Sequence, residues 1–195
     1  MVNNDNFAVQ TITKVVEGSL YSILYTLFTE DEFSRLFDSW SDANYLENFF
    51  NEHINDLNNG FWDDISIEDA IFKTKKDAED LEEKLIDLAE QSVSGIEDDL
   101  ASLFQPLASS PDALSSPSKN KAYGADSPSW LRIYALEADT NLFVITGGAI
   151  KLTKTMNDRE HLMLELRKLD IYKQFIKNYL LSDEGEDIPF FELIY

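Results

Sequence analysis

Apolar positions along this chain recur in two rhythms, alternate and helical, and the rhythms change at recognisable turn residues. From Phe7 to Phe28, FAVQTITKVVEGSLYSILYTLF, β-branched and aromatic residues flank Glu17-Gly18, which predicts a β-hairpin with the glycine in its turn. Helical spacing follows over Asp31 to Ser39, with Phe33, Leu36, Phe37 and Trp40 on one face. A second helix is predicted over Ala43 to Leu57, with Tyr45, Leu46, Phe49, Phe50, Ile54 and Leu57 along it and Asn58-Asn59-Gly60 as its stop. A longer helix is predicted from Ile67 to Gln91, with Ser66 as N-cap and Asp69 completing a near capping box. Its apolar stripe is Ile67, Ile71, Ala78, Leu81, Leu85 and Leu88, and acids including Asp77 are expected on its other faces.

Beyond Gly95 a short helix is expected over Ile96 to Phe104, stopped by Pro106. The next stretch, SSPDALSSPSKNKAYGADSPS, has the Ser, Pro and Asp content of an exposed loop. Trp130 to Ala138 and Leu142 to Thr146 then predict an antiparallel hairpin around Glu137 to Asn141. Gly147-Gly148 is expected to bend the backbone sharply, ahead of a strand over Ala149 to Thr153. Asn157 or Asp158 caps a last helix to about Leu181, with Leu162, Leu166, Leu169, Tyr172, Ile176 and Leu180 on one face. The closing IPFFELIY has strand propensity. Together these elements predict an α+β protein: a small antiparallel sheet packed against helices, with an N-terminal β-hairpin and helical extension. The expected division is an acidic extension over 1–60 and an α+β domain over 61–195, folded as one unit.

Composition narrows the classes. At 195 residues and 44% hydrophobic content, the chain can bury a core, and the absence of cysteine excludes disulfides, thiolate metal sites and a Cys nucleophile. MVNNDNFAVQ lacks the basic and apolar regions of a secretory signal, and no apolar run approaches the roughly 18 residues of a membrane span, so a soluble, cytoplasmic protein with no membrane contact is expected. The net charge of −21 is uneven: residues 1–100 hold 6 Lys/Arg against 24 Asp/Glu, while residues 113–182 hold 10 against 7. An acidic surface repels phosphate at long range, so nucleic acid would have to meet a local basic patch, and no DNA contact is expected. The acid either keeps the protein soluble or docks a basic partner.

Several chemistries can be set aside. His53 and His161 form no H-E-x-x-H or H-x-x-x-H pattern, so no metal is expected. An EF-hand registered on Gly60 would put Leu57 at a ligand position and lacks the bidentate glutamate. Gly147-Gly148 and Lys151 do not make a P-loop, and no G-x-S-x-G occurs. Asp63-Asp64 and Asp98-Asp99 are neighbours expected by chance in so acidic a chain. No cofactor is implied.

The basic stretch is more specific. Lys151 is expected opposite to Ile150 and Leu152 on its strand, with Lys154 at the strand end and Arg159 in the first turn of the last helix. Arg132 and Tyr134 share a face of the earlier strand, and a sheet can bring all five together. Cations that hold a scissile phosphate while a 2′-OH is activated can cleave RNA without histidine or metal. The same cations can equally balance the acidic half.

The run from Leu142 to Leu166, LFVITGGAIKLTKTMNDREHLMLEL, resembles the end of HigB-type toxins of the RelE/ParE superfamily: a hydrophobic strand, a glycine, a Lys-rich stretch with Thr, and a helix opening on Arg-Glu. The matching positions are Val144, Gly147, Lys151, Thr153, Lys154, Thr155, Arg159 and Glu160, with LIDLAEQ, LFQPL and WLRIYAL as similar upstream segments, so the likeness spans roughly residues 67–181. The resemblance implies a metal-independent endoribonuclease acting on mRNA, usually on the ribosome, and neutralised by a helix-turn-helix antitoxin protein. By position it implies Arg132, Lys151 and Lys154 as catalytic, with Lys121, Tyr134 and Arg159 binding substrate. Leu152 stands where the family commonly has a second lysine, and the acidic extension has no counterpart. Three classes therefore stand open: a toxin-like ribonuclease, an inactive relative whose acidic surface binds a basic partner, and an unrelated interaction domain.

Overall fold

The computed structural model describes residues 8–59, 62, 65–94, 100–106, 118–123, 129–153 and 158–180. The N-terminal alternation folds as a hairpin, β1 (Val9–Val16) against β2 (Leu20–Tyr25), and Gly18 in its turn has φ +88°, a left-handed conformation that a β-carbon disfavours. Ser19 pins this turn to a distant helix by donating from Oγ to the Ala89 carbonyl at 2.8 Å.

Helix α1 (Glu32–Ser41) starts where Asp31 accepts from the amides of Phe33 and Ser34, and α2 (Ala43–Glu52) starts on the same device at Asp42. The single helix expected as far as Leu57 is instead two, because His53 leaves helical backbone angles and a short α3 (Ile54–Leu57) follows. The break lets Leu57 reach the core with no exposure while the His53 ring packs on Phe49. Helix α4 (Ile67–Ser94) opens on Ser66, whose Oγ accepts from Asp69 N–H at 3.1 Å. Asp77 does not lie outward as expected; it is 1% exposed beside Ala78, and Lys73 one turn earlier holds it at 3.0 Å. Its place within the arc of the buried stripe, not its polarity, decides its position.

The expected helix up to Phe104 is, over its described residues, a 3₁₀ turn at Leu100–Ser102 leading into β3 (Phe104–Pro106), because Phe104 stacks on Phe143 at 4.5 Å and its backbone pairs with Ala122. The presumed Ser/Pro loop contains β4 (Ser118–Tyr123), which gains its conformation by pairing with β5 (Leu131–Asp139) from Ser118↔Glu137 to Tyr123↔Arg132. A tight turn with Asn141 at φ 59° returns the chain as β6 (Leu142–Ile150).

Gly147-Gly148 makes no sharp bend. Both glycines lie inside β6 because other groups occupy their β-carbon space: Glu165 on one side, the Arg132 carbonyl and Leu36 on the other. The ladder slips between Tyr134↔Gly147 and Ala135↔Ile145, which bulges Thr146 and leaves its carbonyl to accept from Tyr25 Oη at 2.9 Å.

The sheet order is β1-β2-β6-β5-β4-β3. Neighbours are antiparallel except β2 and β6, which run parallel through three pairs, Leu20↔Phe143 to Ser22↔Ile145. The hairpin thus adds to the small antiparallel sheet across one parallel seam. Helices α1 to α4 cover one face, burying Phe33, Leu36, Trp40, Phe50 and Leu81 against Leu131, Ile133 and Ile145. Helix α5 (Glu160–Leu180) covers the other, with Leu162, Leu169, Tyr172 and Ile176 against Tyr134, Leu136 and Val144. With both faces covered, every residue of β6 is buried, which explains its unbroken apolar reading. Residues from both sides of position 60 share the first of these cores. The expected C-terminal strand IPFFELIY lies outside the described residues.

Candidate functional site

The residues of the basic stretch take separate internal partners. The Arg132 guanidinium donates to the carbonyls of Ser129 at 2.7 Å and Leu131 at 2.6 Å. Lys151 follows β6, donating from its amide to the Trp130 carbonyl and from Nζ to the Thr153 carbonyl, each at 2.7 Å. These two cations therefore flank one end of the β5–β6 pair. Tyr134 is 1% exposed within the core under α5. Arg159 stands just before α5, where its carbonyl accepts from Leu162 and Met163, and its guanidinium makes a two-pronged pair with buried Asp56. The Lys121 backbone lies in β4 opposite Tyr134; its side chain, and the whole of Lys154, lie outside the described residues.

Around Arg159 the fold gathers something no local pattern signals. Asp56 and Arg159 are 103 residues apart, yet they bring α3 and the start of α5 together, and the chain's two histidines meet beside them. The rings of His53 and His161 have centroids 4.9 Å apart, with Phe49 packed on both. His53 Nδ1 lies 3.7 Å from Asp56, and His161 Nε2 is 3.2 Å from the Ile150 carbonyl, to which its N–H can donate. Burial pushes the His161 pKa down, with His53 and Arg159 adding repulsion, against the upward pull of the Ile150 carbonyl and Glu52. Among the described residues no set of three His, Cys, Asp or Glu side chains is placed to hold a metal ion.

A second polar cluster sits inside the protein. Glu32 of α1 has no exposure, and its carboxylate accepts from Arg35 Nε at 3.1 Å, from the Arg35 terminal nitrogen at 2.6 Å and from Lys168 Nζ at 3.1 Å. Lys168 also donates to Glu165 at 2.8 Å, so one buried ammonium on α5 serves two buried carboxyls. Burial, with the charge of Glu32 beside it, raises the Glu165 pKa to about 7 against the pull of Lys168 and Arg35. This cluster was detectable in part from sequence, because Glu165 and Lys168 continue the spacing of Leu162, Leu169 and Tyr172.

The third feature is the outer surface of the helical layer. Glu68, Asp69, Glu79, Glu83, Asp87 and Glu90 are exposed along α4, against Lys75, Lys76 and Lys84. An open groove of about 290 Å³ on this helix is lined by Asp80, Glu83, Lys84, Asp87, Leu88 and Gln91. Beside this acidic run Phe72 is 73% exposed. Glu82 meets Asp38 across α1 and α4, and burial followed by that like charge raises its pKa. No helix among the described residues is long and apolar enough to cross a membrane. No protein-family model, curated protein or solved structure matches the chain.

Proposed function

We propose that this protein is an interaction module whose acidic helical layer binds a basic partner. The observation that carries the reading is the crowding of carboxylates across α1 and α4, where Glu82 is pushed up by burial and by the charge of Asp38. A surface under such repulsion gains from cations brought by another molecule. Exposed Phe72 on the same helix offers an apolar contact beside the charge. Binding of a Lys/Arg-rich helical peptide is the direct test, comparing the wild-type protein with a Glu83→Lys/Asp87→Lys/Glu90→Lys variant at low and high salt. Binding lost on charge reversal and weakened by salt supports the reading; binding indifferent to both rules it out.

A second reading, a ribonuclease resembling RelE/HigB toxins and held by a helix-turn-helix partner, draws on the order β5, β6, α5 and on Arg132 and Lys151 flanking one end of that strand pair. Inducible expression with and without Lys151→Ala/Lys154→Ala tests it. Growth arrest with RNA cleavage that disappears in the double variant would favour it, and harmless wild-type expression with intact RNA would exclude it.

A further inference from the structure

The donors inside the protein are shared unequally between the two buried carboxyls. Both oxygens of Glu32 are served, by Arg35 and by Lys168. Glu165 receives Lys168 on Oε1 alone; its Oε2 is buried without a hydrogen-bond partner among the described residues and lies over the bare Cα of Gly147. A carboxylate with one oxygen stripped of water and of donors is costly, and a proton on that group removes the cost. The groups facing it are Lys168 from its own helix, Glu32 and Arg35 from α1, and more remotely Tyr25 from β2 and Tyr45 from α2. Thr146 and Gly147 of β6 bring no charge.

Helix α5 carries a second group of this kind, for the Tyr172 hydroxyl is also buried with no partner among the described residues. The buried polar groups of α4 are served by contrast: Thr74 Oγ1 donates to the Ala70 carbonyl and accepts from Trp130 Nε1, and Asp77 holds Lys73. The polar cost of docking a helix on this sheet is therefore concentrated on α5.

We propose that α5 is fastened by a proton-operated latch, in which Glu165 takes up one proton as the solution passes from mildly alkaline to mildly acidic and the helix is held more tightly against α1 and the sheet in the protonated state. Above neutrality the ionised carboxylate competes with Glu32 for Lys168 and keeps an unserved oxygen, so α5 opens more often from the face formed by Tyr21, Ile23 and Val144. The latch is a local equilibrium on one helix, distinct from the partner binding proposed for the acidic layer.

Amide hydrogen exchange on the full chain tests it, with α4 as the internal reference and rates corrected for intrinsic pH dependence. A group that titrates at about 7 when α5 is docked and near 4.5 when it is free raises opening about tenfold between pH 6 and pH 8. The expected result is a rise in α5 relative to α4 that is smaller than tenfold by the opposing contribution of His161, and absent in Glu165→Gln. Because His161 on the same helix titrates with the opposite sign, the variant should loosen only on the acid side. A flat wild-type ratio, or an unchanged pH response in Glu165→Gln, overturns the proposal. Should the variant not fold, carbonyl carbon NMR of the wild-type Glu165 decides: titration near neutrality supports the latch, and titration in the usual carboxyl range overturns it.

Discussion

The Glu165 carboxylate fills the space in which residue 147 would carry a side chain: a β-carbon built on Gly147 falls 1.9 Å from Glu165 Oε2. The carboxylate belongs to a buried side chain tied to Lys168, so it cannot swing aside as a surface glutamate would. Gly147→Ala should therefore destabilise the protein by about 3 kcal/mol in chemical denaturation. In a Glu165→Ala background the same substitution should cost much less, since the obstructing group is gone.

Trp130 and Thr74 give a second test. The indole N–H donates to Thr74 Oγ1 at 2.9 Å, and both residues are buried. Thr74→Val preserves the shape and removes the acceptor, leaving the indole N–H unserved. A loss of about 1–3 kcal/mol is expected, read from the midpoint of urea unfolding.

Lys73 and Asp77 behave as a unit. Asp77 has 1% side-chain exposure and Lys73 27%, so Lys73→Met strands a buried charge and should cost about 3 kcal/mol. Replacing both, as Lys73→Met/Asp77→Leu, should recover most of that loss. Additive losses in the thermal unfolding of the three variants would show that the pair does not act as one.

The pH dependence of stability should have two limbs of opposite sign. Folding lowers the His161 pKa from 6.5, so the unfolded chain binds the extra proton first; this contribution is complete above 6.5 and is lost as pH falls below it. Folding raises Glu165 from 4.5 to about 7, so its contribution is complete below 4.5 and is lost as pH rises through 7. His161→Gln should remove the acid limb and Glu165→Gln the alkaline one, measured as denaturation midpoints across the range.

Elements built by near neighbours were legible in the sequence. Gly18 and Ser66 mark a turn and a cap whose partners lie within a few residues, and each forms as expected. Ser118–Tyr123 was not legible, because its polar sequence becomes a strand only by pairing with β5. The glycine pair at 147–148 is ambiguous in sequence: glycine permits a bend and also close approach, and only the position of Glu165 shows which applies. Asp77, Glu165 and Lys168 sit at apolar spacings, where charge argued for an outward position and partners on Lys73 and Glu32 made the inward one tolerable. The meeting of His53 with His161 depends on tertiary structure alone.

The parallel seam between β2 and β6 also sets an order of events during synthesis. Tyr25 leaves the ribosome 121 residues ahead of Thr146, the carbonyl it must meet. The first hairpin can close on itself early, but its edge along β2 stays open through most of translation and is covered only when β6 arrives. The nascent chain thus carries an uncapped strand for much of its birth, and from Ala8 to Phe28 only Lys14 and Glu17 bring charge to discourage pairing with another chain during the wait.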